Sequence, residues 1–414
     1  MKVLFIHHGS LNGGAPLSMN YTMNALKPYG YKFTVGLVSY TQDSINFFEK
    51  SDNEVINLSW IKIQTLYSAF DKPIYNRYSF KEWFSVQINR EKIKKQIKAI
   101  FSDGNYDLMH LNSVVLSPIV EILLELDIPF VWHIREAAPK KNRDFRFNKI
   151  VKLMQKAENL IFLSEDEQQS WLGNSKHGIV VNNFVDFKTF NTKNIDVSNV
   201  KNKYNVNSGE FILLFLGGFK PHKGPDLLLK ALDILVNKKG YKNIKCIMPD
   251  TIKNKKSSLK LIIKQTVKQI LFFYKKQKDF DKEMFNYIDR YNLKDNCILL
   301  PFNPYTQELF AICDIVLFPA TVPHFARPII EAGAMRKPVI ATNLPILNNL
   351  VINGKTGFLT ELNSQSIADS IEKLYNNSEL SNKMGKNAEL MAKEKYNADK
   401  QILMIHKMYK KAIN

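Results

Sequence analysis

Twelve short apolar runs, each followed by a stretch of helical periodicity or a polar turn, constrain the fold of this 414-residue chain most strongly. In the first half they are Val3–Ile6, Phe33–Val38, Leu108–Leu111, Pro129–His133, Leu160–Leu163 and Ile179–Val181. In the second half they are Ile212–Leu216, Ile244–Met248, Cys297–Leu300, Ile315–Phe318, Val339–Thr342 and Phe358–Thr360. Most are continuous rather than alternating, the pattern of strands buried on both faces of a parallel sheet. Strands that alternate with helices imply βαβ units and doubly wound α/β sheets. The length exceeds one ordinary core and predicts two domains of about 200 residues each. The polar stretch Lys193–Ser208 is the natural linker between them.

Composition narrows the function classes. With 45% hydrophobic and 12% aromatic residues the chain can bury two sizeable cores. The three cysteines, Cys246, Cys297 and Cys313, are far apart and lack any metal-ligand spacing, as expected of reduced thiols in the cytoplasm. "MKVLFIHHG" reads as a first strand, too short for a signal peptide. No stretch approaches the roughly 18 apolar residues that a spanning helix needs. The net charge of +19 asks for an anionic partner: a phosphorylated substrate, an anionic membrane surface or nucleic acid. No nucleic-acid-binding motif or aromatic–basic platform is present, so nucleic acid is not expected.

In doubly wound folds, ligands gather at the carboxyl ends of strands. Three strand-to-helix loops there carry chemistry. In "HHGSLNGGAPLSMNYTMNAL", residues 7–26, Gly13 and Gly14 permit close backbone approach just before a helix whose free N–H groups suit an anion. The spacing fits neither a dinucleotide fingerprint nor a P-loop, and an ordinary tight loop is an equal alternative. In "FILLFLGGFKPHKGPDLLLKAL", residues 211–232, Gly217 and Gly218 lead into Lys220, His222 and Lys223 ahead of a helix. Such a loop suits a phosphate, against the plainer reading of two solvated lysines. In "HFARPIIEAGAMRKPVIAT", residues 324–342, Pro328 fits a first helical turn and Arg327 stands at its boundary. Glu331 lies one turn inside an apolar helix, where a carboxylate needs a polar partner: vicinal ribose hydroxyls or a neighbouring basic residue. A nucleoside diphosphate bearing a sugar would satisfy all three loops.

These segments resemble the retaining glycosyltransferases of family four. The resemblance runs through "GGAPLS", "YDLMHLNS", "VWHIRE", "FLSEDE" and "VVNNFVDFKTF" to "GGFKPHKG", "IVLFPATVPHFARPIIEAGAMRKPVIATN" and "VINGKTGFLTE". It implies a GT-B fold: two Rossmann-like doubly wound domains facing across a cleft. The expected division is residues 1–193 on the acceptor side, a linker at 194–208 and a nucleotide-sugar-binding domain at 209–388. A helix at 389–414 would return to the first domain. The implied activity moves a sugar, with retention, from a UDP- or GDP-sugar to a glycan or lipid-linked acceptor. Neither a metal nor another cofactor is implied, and surface polysaccharide synthesis is the expected setting. By the same resemblance Glu331 is similar to the ribose-binding glutamate, Lys223 to the diphosphate lysine, Gly14 to the phosphate-approaching glycine and His133 to the histidine near the transferred sugar. Catalytic roles therefore fall on His133, Lys223 and Glu331, and donor binding also on Gly13, Gly14, Gly218, Lys220 and Arg327. The sequence departs from the family at Pro323, where a second glutamate is usual, at Gly218, where an arginine is usual, and at Asn349, where a carboxylate is usual. A non-catalytic scaffold of the same fold is the alternative that these departures raise.

Between Thr251 and Lys278 stand nine lysines and no acidic residue. Leu259, Ile262, Ile263, Val267, Ile270, Leu271 and Tyr274 follow helical spacing there, with Lys260, Lys264 and Lys268 on another face. Such a helix suits an anionic membrane surface, and hence peripheral attachment at the inner face of the cell membrane. The competing expectation is an ordinary domain helix with solvated lysines.

Overall fold

The computed structural model describes residues 1–9, 14–61, 88–136, 138–139, 143, 145–249, 267–301 and 306–414, with the side chains of 267–278 not described. The chain forms two compact units, Met1–Phe184 with Ala398–Asn414, and Val185–Asn397.

The first unit is built on strands β1 (Lys2–His7), β2 (Lys32–Leu37), β3 (Glu54–Asn57), β4 (Leu108–Leu111), β5 (Phe130–Ile134), β6 (Leu160–Phe162) and β7 (Ile179–Val180). All neighbours are parallel, in the order β3-β2-β1-β4-β5-β6-β7. Because side chains alternate across a strand, the sheet feeds two cores. Leu4, Ile6, Met109, Leu111 and Trp132 face one. Val3, Phe5, Leu108 and Val131 face the other, which Tyr409 of the returning helix Ala398–Ile413 helps to close. Two polar contacts fix that helix: Tyr409 Oη lies 2.6 Å from His110 Nδ1, and Tyr31 Oη 2.8 Å from His406 Nδ1.

The second unit contains β8 (Phe211–Leu214), β9 (Ile244–Pro249), β10 (Cys297–Leu300), β11 (Ile315–Phe318), β12 (Val339–Thr342) and β13 (Gly357–Thr360). Its parallel order is β10-β9-β8-β11-β12-β13. The winding direction reverses between β1 and β4 in the first sheet and between β8 and β11 in the second, the points where such sheets open a crevice.

Eleven of the twelve apolar runs coincide with strands to within a residue at each end. The run Ile212–Leu216 ends earlier, at Leu214, where the chain turns toward Gly217-Gly218. Among the described residues, the strand that the runs do not contain is β3, a half-exposed edge strand bounded by Glu54 and Asn57. It has one wet side, so its sequence lacks the continuous apolar signature.

The chain divides at Phe184 and Val185, ahead of the expected boundary at 193. The stretch expected as a linker, 194–208, carries the helix Val197–Lys203 inside the second unit, capped by Asp196 Oδ1 accepting from Asn199 N at 3.0 Å. Lys203 and Tyr204 donate to Glu308 at 2.6 and 3.2 Å, which joins this polar helix to the helix Gln307–Ile312. The closing segment divides too, since Ser378–Lys395 packs in the second unit and the return to the first begins at Ala398. The basic stretch 251–278 lies outside the described side chains. Among the described residues no helix is long and apolar enough to cross a membrane.

Candidate active site

Two loops flank the switch point of the second sheet. After β8 the chain turns through Gly218 at φ +64°, then Lys220 leads into the short turn Pro221–Lys223. Gly224, at φ +70°, starts the helix Pro225–Asp233. A Cβ at position 224 would stand 1.9 Å from the Pro319 carbonyl oxygen, so only glycine lets the loop after β11 come this close. Thr321 N donates to His222 O at 3.1 Å and completes the junction.

That junction gathers positive charge in a poorly solvated place. Burial, with Lys220 adding to it, pulls the Lys223 ammonium down to about 8. Burial also lowers Lys220. His222 falls to about 4 and His324 to about 3, both chiefly through burial and then through Lys223. Lys223 Nζ meets His324 Nε2 and lies 5.3 Å from the centre of the Phe318 ring.

The loop after β11 ends in the helix Arg327–Ala334, which carries Pro328 in its first turn and has no side-chain cap at Ala326. An uncapped start leaves backbone N–H groups for another partner. Arg327 and Glu331 are both buried, with Nε and Oε1 2.7 Å apart. Burial pushes Glu331 up to about 6, while Arg327 opposes the rise. The polar partner that the sequence demanded for Glu331 is therefore Arg327.

In the first unit His133 is buried near the end of β5 with His7 at the end of β1 and Asn112 just after β4. Arg135 ties them together: Nε donates to Asn112 Oδ1, Nη1 to Asn183 Oδ1 at 3.2 Å, and Nη2 lies 3.4 Å from His133 Nδ1. Asn112 Nδ2 lies 3.4 Å from His7 Nδ1. Burial lowers His133 well below the usual imidazole range and brings His7 to about 3, so both rings are neutral. Glu136, next in the chain after Arg135, accepts from Ser113 Oγ at 2.6 Å and Val114 N at 3.0 Å.

The structure thus joins Lys223 to His324 and Arg327 to Glu331, with Gly218 and Lys220 in the same basic loop. Gly14 opens the helix Gly14–Leu26 and is exposed, and Gly13 lies outside the described residues. His324, Arg135, Asn112 and His7 were not singled out by sequence reasoning. Each stands at or just after a strand end, or in a strand-to-helix loop, which is the signal that would have found them. Among the described residues no group of His, Cys, Asp and Glu could hold a metal ion.

Residues 196–391 match the family model described as glycosyl transferases group 1. That match spans a little under half of the chain, so over this stretch the chain is similar to the group 1 glycosyltransferases. It is 24% identical over 238 residues to an uncharacterized glycosyltransferase of Methanocaldococcus jannaschii, covering 55% of this chain and 56% of that one. It is 26% identical over 223 residues to the capsular polysaccharide biosynthesis glycosyltransferase CapM of Staphylococcus aureus, covering 53% and 51%. The chain spans about half the length of these relatives. Its fold matches that of Anabaena HepE, solved in complex with UDP and glucose, with a TM-score of 0.75, 22% identity and 98% of each chain covered. The fold is thus GT-B. Gly218 is buried and holds a left-handed backbone at φ +64°, a conformation that most residues with a Cβ adopt only with strain.

Proposed function

We propose that this protein is a metal-independent, retaining glycosyltransferase that takes its sugar from a nucleotide-sugar. The observation that carries the reading is the gathering, around one switch point, of a half-buried cation, Lys223, a buried cation, Arg327, and a buried carboxylate, Glu331, beside an uncapped helix start. Lys223, assisted by Lys220, and Arg327 with the helix N–H groups would hold the diphosphate. Glu331 would accept from the ribose hydroxyls while keeping Arg327 in place. Gly218 would let the loop backbone approach the donor. In the first unit, assigned the acceptor side, His133 and the Gly13-Gly14 loop would serve the ligand.

The chemistry follows from charge. As the bond from the sugar to the diphosphate breaks, negative charge grows on the leaving oxygen, and preorganised cations stabilise it. The acceptor hydroxyl attacks the same face of an oxocarbenium-like carbon, and its proton passes to the departing diphosphate. The kinship with CapM supports a glycan or lipid-linked acceptor in surface polysaccharide synthesis, and the UDP bound by HepE makes UDP-sugars the first donors to try. Attachment to an anionic membrane surface through residues 251–278 belongs to the same reading.

Nucleotide release with a panel of UDP-, GDP- and ADP-sugars tests it, with wild type compared to Glu331→Ala. Release with one donor, unaffected by EDTA and lost in the variant, is expected, and the anomeric configuration of the product reads retention. A wild type that neither binds nor hydrolyses any donor would leave the non-catalytic scaffold, which Pro323 and Gly218 favour.

A further inference from the structure

We propose that His324 is a positioning residue for Lys223: its neutral imidazole aims the ammonium at an anionic ligand without cancelling the charge. This rests on the reading of Lys223 as a diphosphate contact, and concerns a side chain to which the family pattern gives no role.

The geometry fixes the tautomer. His324 Nδ1 lies 2.7 Å from the Val322 carbonyl oxygen, which can only accept, so Nδ1 carries the proton. Nε2 is then left with its lone pair, and that atom meets Lys223 Nζ. The ring is buried enough, and near enough to Lys223 and His222, to stay neutral across the physiological range. A second neutral partner, the Phe318 ring, lies under the same ammonium. Phe318 and His324 are themselves in contact, with ring centres 5.3 Å apart. Among the described residues no carboxylate pairs with Lys223, whereas Arg327 a few residues away is matched by Glu331.

The consequence is a division of labour. Arg327 is neutralised by Glu331 before any ligand arrives. Lys223 is oriented by groups of no net charge, so its full positive charge remains for the ligand. Accepting a hydrogen bond also favours the ammonium form against the pull of burial. The charged or titratable groups facing Lys223 are Lys220, His222 and His324. Loss of the imidazole acceptor therefore lets Lys223 discharge at a lower pH.

The test is binding of UDP, GDP and ADP by calorimetry from pH 6 to 9.5, on wild type, Lys223→Met, His324→Ala and His324→Gln. His324→Gln keeps an acceptor within reach but loses the Nδ1 bond to Val322, so it separates aiming from loop bracing. Expected is affinity for one nucleotide that falls above pH 8 in wild type. His324→Ala should bind about tenfold more weakly, the scale of a hydrogen bond to a charged group, with its alkaline fall moved to lower pH. His324→Gln should recover most of both. Equal affinity and pH profile for wild type and His324→Ala, with Lys223→Met defective, would overturn the role of His324 alone. Equal loss in Ala and Gln would overturn it in favour of loop bracing. No nucleotide binding by wild type would overturn the reading of the site itself.

Discussion

Each unit buries a glutamate in the helix that follows one of its strands, and the two differ in their partners. Glu331 follows β11 and touches Arg327 at 2.7 Å. Glu167 follows β6, in the helix Glu165–Leu172, and its Oε2 meets no partner among the described residues. Both are nearly inaccessible, at 5% and 2% exposure. Burial raises Glu331 only to about 6, because Arg327 opposes it. It raises Glu167 to about 8, with Glu136 adding to the rise and a backbone hydrogen bond at Leu163 and the charge of Arg135 opposing it. At pH 7 the first is mainly a carboxylate and the second mainly a carboxylic acid. A cation in contact, rather than one at a distance, decides which buried acid keeps its charge.

Breaking the pair in the second unit should have the largest effect. Glu331→Ala strands a buried guanidinium and is expected to cost about 3–5 kcal/mol in urea unfolding at pH 7.5, with Glu331→Gln milder. A loss below about 1 kcal/mol would mean that the pair is wetter than its burial implies.

The acid in the first unit gives the next effect, and its signature is pH. The folded-state pKa of Glu167 lies above its unfolded value, so its stabilising contribution is complete below about pH 4.5 and lost as pH rises to about 8. Glu167→Gln should therefore match wild type at pH 4 and exceed it by roughly 2–4 kcal/mol at pH 8.5. Unfolding midpoints across that range measure it; parallel curves would show that Glu167 is solvated. Glu331 follows the same sign over the narrower window from about 4.5 to 6.

Smaller effects sharpen the contrast between tied and exposed polar groups. Tyr409→Phe removes the hydroxyl from buried His110 and should cost about 1 kcal/mol, with faster amide exchange in the helix Ala398–Ile413. Lys239→Ala, at an exposed site paired with Asp369 and Glu372 of the second unit, should change stability by less than about 1 kcal/mol.

The sheets were legible because strands buried on both faces are written as unbroken apolar runs. The edge strand β3 was not, for it is half wet. Glu331 stood out as a charge inside an apolar helix, and the Gly218–Gly224 loop as cations and glycines after a strand. His324 and Arg135 did not, since a single histidine or arginine beside a strand end looks the same whether solvated or engaged. The helix Val197–Lys203 was hidden by its polarity: its place in the second unit comes from Glu308, more than 100 residues away in sequence.

The sequence alone determined two parallel α/β sheets, the loops that bear polar residues, and the need of Glu331 for a polar partner, because hydrophobic periodicity and local turn chemistry are properties of neighbouring residues. Tertiary structure decided which partner that is, why Gly224 has to be glycine against Pro319, and which buried acid holds its proton. Those outcomes depend on distances between strands far apart in the chain and on the water excluded between them, and neither is written locally.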